Sequence, residues 1–108
     1  MEKARLALTT CADSDAAASL AALLVERRVA ACVNIVPGIR SIYRWQGKVE
    51  DETECLLIIK TVADRVAELK ASIAELHKYE VPELVVLPVE TGATSYLNWI
   101  VEQTGETQ

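Results

Sequence analysis

The chain carries a single histidine, His77, with Glu80 three positions further on. An imidazole nitrogen and a carboxylate so spaced are two donors for Cu(II) or Zn(II), ions that nitrogen and oxygen ligands hold well among the divalent metals. Two donors do not make a site, and the third candidate is Cys11. It falls between a strand-like run and a helix start, where the helix N-terminus lowers a thiol's pKa and favours the ligating thiolate. The competing reading of His77 is structural, since a histidine near a helix C-terminus bonds the last carbonyls and suits the macrodipole. Cys32 and Cys55 lie in apolar runs and read as small core hydrophobes. The acidic run Glu50, Asp51, Glu52 and Glu54 lacks the spacing of a calcium loop and reads as the solvated edge of a strand. An enzyme with Cys11 as nucleophile and His77 as base would lack a third, orienting group. The sequence therefore points to a binding protein rather than an enzyme, and to no organic cofactor.

A second set of residues suits a cleft. The chain has no phenylalanine, so every aromatic ring carries a polar handle. Tyr43, Trp45, Lys60 and Tyr79 could wall a pocket between subunits that holds a small molecule. Lys60, at the end of an apolar strand, needs an acidic partner, for which Glu54 or Glu80 would serve.

The elements that must position these residues follow from hydrophobic period. Arg5 to Thr10 is a strand, Asp13 caps a helix with Leu20, Leu23 and Leu24 at helical spacing, and residues 30–45 form a strand bent at Pro37-Gly38. Gln46-Gly47 turns that strand into a second arm, polar at first and continuously apolar from Cys55 to Ile59, so that its far end is covered on both faces. Thr61 and Asp64 read as a capping box for a helix ending near His77. Leu84 to Leu87, closed by Pro88, is the last strand, and residues 95–104 form a short helix. The order β-α-β-β-α-β plus a C-terminal helix is the α+β, ferredoxin-like split βαβ arrangement, with both crossover helices on one face of the sheet. The other face keeps several aliphatic side chains, and exposing each forgoes about 1.5–3 kcal/mol. A second copy of the same chain is the simplest cover.

At 108 residues the chain is one domain, spanning 1–108, without repeats or linkers. A net charge of −5, with no cluster of basic residues, argues against nucleic acid as a partner. No apolar run approaches the roughly 20 residues that span a bilayer, and the N-terminus lacks a signal-peptide pattern, so the expected compartment is the cytoplasm and no membrane partner is expected. Three widely spaced cysteines are expected to stay reduced.

Residues 9–13 (Thr-Thr-Cys-Ala-Asp), 30–47 (Ala-Ala-Cys-Val-Asn-Ile-Val-Pro-Gly-Ile-Arg-Ser-Ile-Tyr-Arg-Trp-Gln-Gly), 54–61, 76–83, 87–89 and 96–100 resemble the corresponding segments of the CutA family of divalent-cation tolerance proteins. The likeness runs from about residue 5 to 104. It implies a ferredoxin-like protomer in a homotrimer similar to the PII signalling proteins, with the long hairpin laid over a neighbour. It also implies tolerance to, and binding of, copper and other divalent metals, without an established enzymatic reaction. The alternative it leaves is a PII-like small-molecule sensor or scaffold with ligand clefts between subunits. Where the family's motif commonly reads His-Pro-Tyr-Glu, this chain has His77-Lys78-Tyr79-Glu80. The metal-associated cysteine of some members aligns with Thr9, two positions before Cys11.

Overall fold

A computed structural model describes residues 3–105. Its elements are β1 (Ala4–Cys11), α1 (Ser14–Glu26), β2 (Cys32–Trp45), β3 (Lys48–Val62), a 3-10 turn (Ala63–Arg65), α2 (Val66–Leu76), β4 (Val85–Pro88) and α3 (Thr94–Gln103). The four strands form one antiparallel sheet in the order β2-β3-β1-β4. This is the split βαβ arrangement read from the sequence, because α1 joins β1 to β2 across β3, and α2 joins β3 to β4 across β1.

Alternation sorts the sheet into two faces. On β3, Cys55, Leu57 and Ile59 are buried while Leu56, Ile58 and Lys60 are half-buried. The buried set packs with Ala7, with Ala17, Leu20 and Leu24 of α1, and with Leu69 and Ile73 of α2. A smaller cluster joins Ala4, Ala31 and Val62 to Leu97 and Ile100 of α3. Within one chain the apolar end of β3 is therefore covered on one face and not on both. The face turned away from α1 and α2, whose Ala4–Val62 end α3 covers, presents Leu6 and Leu8 opposite Lys60 and Ile58, and beside them Val85 and Leu87 at 48% and 44% exposure.

Asp13 is the N-cap of α1, accepting from the Ala16 N–H at 2.8 Å. The expected capping box at Thr61 and Asp64 is not formed. Thr61 is still in β3, where its buried hydroxyl donates to the Val29 carbonyl at 2.7 Å, and a 3-10 turn without a side-chain cap leads into α2. The pull of strand pairing opposite Arg5 outweighs the local capping signal.

The β2–β3 hairpin positions the candidate cleft. β1 pairs with β3 only as far as Cys11 opposite Cys55, so the stretch from Ile39 opposite Glu54 to Trp45 opposite Lys48 continues as a two-stranded arm. The register shifts between Val36 and Ile39, where Gly38 takes φ +72°, and this bend re-aims the arm. Gln46 and Gly47, at φ 50° and 81°, close the turn in the doubly left-handed form that matches strand twist. Arg40 clamps the arm by donating twice to Asp51 across the strands, at 2.9 and 2.7 Å.

Candidate functional site

Two hollows adjoin at the segment that follows α2. The smaller, about 300 Å³, is lined by Cys11 and the residues after it, by the outer face of α1, and by Leu76 to Tyr79. His77 is the C-cap of α2, and its backbone N–H bonds the Ile73 carbonyl. The ring does not reach the last helical carbonyls. Instead Nε2–H donates to the Thr10 carbonyl at 2.6 Å, and Nδ1 accepts from the Tyr79 N–H at 3.1 Å. A carbonyl can only accept and a backbone N–H can only donate, so the two bonds fix the tautomer. The His77 ring also lies 4.7 Å from that of Tyr79, tilted by 47°.

Cys11 meets this histidine, its Sγ standing 3.9 Å from Nε2. The thiol is 3% exposed and directly opposite Cys55 in the β1–β3 register. Burial, followed by the neighbouring Cys55, Asp13 and Glu54, pushes the Cys11 thiol up to about 11. This differs from the lowered pKa expected of a loop cysteine. Cys11 is the last residue of β1 and points into the core, so desolvation of the thiolate outweighs the nearby helix N-terminus.

Glu80 does not join this pair. It is exposed and lines the larger hollow, of about 660 Å³, with Thr10, Tyr43, Trp45, Glu52, Glu54, Tyr79 and Glu83 among its other walls. Among the described residues no three His, Cys, Asp or Glu side chains come close enough to hold a metal ion. The structure thus brings Cys11 to His77, and separately brings Tyr43, Trp45 and Tyr79 to one cleft. Lys60 stands apart from both, on the face turned away from α1 and α2, where its ammonium donates to the Asn34 amide oxygen and not to Glu54 or Glu80.

Glu54 has a different partner. It is 7% exposed and accepts from the Tyr79 hydroxyl at 2.6 Å through Oε2. Burial, and then this bond, raise the Tyr79 hydroxyl well above the ordinary tyrosine range. On the arm, the Tyr43 hydroxyl donates to Glu52 at 2.9 Å, and that bond, with some burial, raises its pKa as well. Tyr79 is the wall common to both hollows.

The family model described as CutA1 divalent ion tolerance protein matches residues 5–103 of this chain. The chain belongs to the CutA1 divalent ion tolerance family. Among CutA relatives, the Thermus thermophilus divalent-cation tolerance protein is 49% identical over 98 residues, which cover 91% of this chain and 95% of that one. Mouse CutA is 44% identical over 98 residues, which cover 91% of this chain but 55% of the longer mouse protein. A solved structure agrees: the one described as the periplasmic divalent cation tolerance protein CutA of Archaeoglobus fulgidus superposes with a TM-score of 0.91 at 34% identity, covering 94% of this chain and 99% of that one.

Measured against this CutA fold, the sequence reading named Tyr43, Trp45 and Tyr79 for a cleft but offered Glu54 only as a partner of Lys60 or as one of a solvated acidic run, and missed it as the buried acceptor of the Tyr79 hydroxyl. Grouping Glu54 with the solvated acids hid it, although strand alternation places it on the face of Leu56 and Ile58. A carboxylate two residues before an aliphatic pair on one strand face was the signal available.

Proposed function

We propose that the protein is a non-enzymatic homotrimer that binds a divalent transition-metal ion, copper or zinc, weakly and thereby contributes to divalent-cation tolerance in the cytoplasm. One observation carries the metal reading: a sulfur and an imidazole nitrogen, donors suited to these ions, stand 3.9 Å apart beside a hollow. Glu80, on the same short segment, is the third protein donor, supplied by rotation of its exposed side chain or by a neighbouring copy. Weak affinity follows from what the ion must displace. Binding at His77 breaks hydrogen bonds of about 0.5–1.5 kcal/mol each. Ligation by Cys11 removes a proton held with a pKa of about 11, about 4 units above neutral or ~5 kcal/mol.

The aliphatic face formed by Leu6, Leu8, Leu56, Ile58, Val85 and Leu87 supports self-association, and the projecting arm gives it a second surface. A reducing compartment suits three unpaired thiols, two of which stand directly across from each other. Calorimetric titration of the assembled protein with Zn(II) and with Cu(II) tests the metal site. His77→Ala and Cys11→Ser each weaken binding at least about ten-fold, roughly 1.4 kcal/mol, and Glu80→Gln weakens it less. Unchanged binding in His77→Ala rejects the site.

The larger hollow favours a second reading, a small-molecule sensor of the PII type, because its volume of about 660 Å³ and three aromatic walls suit an organic ligand.

A further inference from the structure

Cys11 and Cys55 stand directly opposite each other where β1 and β3 pair antiparallel. Both belong to the core cluster under α1 and α2, so their side chains share one face of the sheet. Directly opposite residues of an antiparallel pair have Cα atoms about 4.5 or 5.5 Å apart, according to their place in the hydrogen-bond pattern. Either spacing lies within the roughly 4.4–6.8 Å that a disulfide spans. Cys55 is also near enough to be among the groups that raise the Cys11 pKa. Cys11 is the last residue of β1, so no further rung of that ladder resists the small approach of the two Cβ atoms that a bridge requires.

Neither thiol is mere apolar filling. Cys11 Sγ stands 3.9 Å from His77 Nε2, and Cys55 Sγ stands 3.7 Å from the Ser14 hydroxyl, so each sulfur has a polar neighbour. The two are equally buried but differ in access. Cys11 lines the hollow of about 300 Å³ between α1 and His77, and Cys55 does not. An oxidant as small as hydrogen peroxide fits that hollow and meets Cys11 first. The hollow lies on the helix side of the sheet, away from the aliphatic face assigned to self-association. Cys32 is opposite Lys60 on the other face of the sheet and out of reach of both thiols.

We propose that Cys11 and Cys55 form a reversible disulfide when the protein meets hydrogen peroxide, with Cys11 reacting first and Cys55 closing the bridge. The Cys11 sulfur attacks one peroxide oxygen and the O–O bond breaks, giving a sulfenic acid and hydroxide, which takes up the thiol proton as water. The Cys55 sulfur then attacks the sulfenic sulfur and the S–O bond breaks, the hydroxyl leaving as a second water with the Cys55 proton. Two electrons pass from the two sulfurs to the peroxide. Closure takes Cys11 out of the donor set proposed for the metal ion. That consequence rests on the metal reading, whereas the bridge does not.

The test uses the assembled Cys32→Ser protein, which keeps only the two thiols in question, treated with hydrogen peroxide at neutral pH without denaturant. The intact mass is expected to fall by about 2 Da, unreduced peptide mapping to join Cys11 to Cys55 within one chain, and dithiothreitol to restore both thiols. With Cys55→Ser added, the resolving sulfur is gone, and Cys11 is expected instead to gain about 32 Da as the sulfinic acid. Oxygen gained at Cys11 while Cys55 stays free in the two-thiol protein overturns the proposal. So does a bridge between two chains, and so do two thiols that stay reduced under peroxide. None of these three outcomes depends on a substitution in the core. Zn(II), which has no redox chemistry of its own, is expected to bind the oxidised protein at least about ten-fold more weakly than the reduced one. Equal affinities overturn the link to the metal and leave the bridge standing, and a reduced protein that binds no zinc overturns the metal reading alone.

Discussion

At the scale of single residues, the decisive facts are which polar atoms are already engaged. Glu54 is a carboxylate almost without solvent, tolerated because Tyr79 donates to it. Tyr79→Phe removes that donor and keeps the ring, so the expected loss of stability is about 1–3 kcal/mol, the cost of leaving a buried acceptor unpaired. Urea unfolding measures it, and a loss below about 0.5 kcal/mol means the carboxylate is hydrated after all. Cys11 gives a pH-dependent counterpart. Its thiol goes from a reference value of 9.0 to about 11 in the folded protein. Below pH 9 both states keep the proton. Between the two values only the unfolded chain gains the thiolate, so stability is complete below the lower value and falls as pH rises toward the upper one. The whole effect is about 3 kcal/mol. Unfolding at about pH 8 and about pH 10.5 is therefore expected to show a steeper decline in the native chain than in Cys11→Ala, and parallel declines would contradict the burial of this thiol. His77, Glu80 and Cys11 were visible in the sequence as donor types, and Asp13 as a cap. The occupation of both His77 nitrogens was not, because their partners, the Thr10 carbonyl and the Tyr79 N–H, are backbone groups that any residue type supplies.

At the scale of elements, period and turn chemistry made most of the fold legible. A turn signal followed by a continuous apolar run marked β3, helical spacing marked α1, and Pro37-Gly38 marked the bend that the register shift records. The failure at Thr61 has a general cause: a capping signal spans four residues, and pairing with a strand far away in sequence overrides it. The partner of Lys60 was hidden for a related reason: alternation puts Lys60 on the face of Leu56 and Ile58, but its bond to Asn34 on the neighbouring strand could not be read without the register. The hairpin turn carries an element-scale prediction. Gln46 sits at φ 50°, where asparagine is more comfortable, and Gly47 at φ 81° already fills the second left-handed position. Gln46→Asn is expected to raise stability by about 0.5–1 kcal/mol. Gly47→Ala has open space for its new methyl but meets the backbone strain of the left-handed region, and is expected to cost about 1–2 kcal/mol. Denaturation midpoints of both variants settle the pair, and a stabilising Gly47→Ala would show that the turn relaxes out of the doubly left-handed form.

At the scale of the whole molecule, the sheet has one finished face and one unfinished one. The helices cover Leu57 and Ile59, whereas Val85 and Leu87 on the edge strand stay about half exposed, next to half-buried Leu6 and Leu8. Burying several such side chains contributes roughly 1.5–3 kcal/mol apiece, which over one face exceeds the ordering cost of a typical protein interface. The arm adds reach, since it extends past the end of β1, and the chain measures 45 Å along its longest axis against 27 and 21 Å across. Both features act together only if copies pack face against face with the arms laid over neighbours. Leu87→Glu places a carboxylate on that face without touching the helix-side core, because Leu87 points away from it. The native chain is expected to sediment as a trimer at micromolar concentration. The variant is expected to sediment as a single, folded chain with an unchanged far-ultraviolet circular dichroism spectrum and lowered thermal stability. A native chain that sediments as a monomer, or a Leu87→Glu variant that still assembles, would show that the exposed aliphatic face is not what brings the copies together.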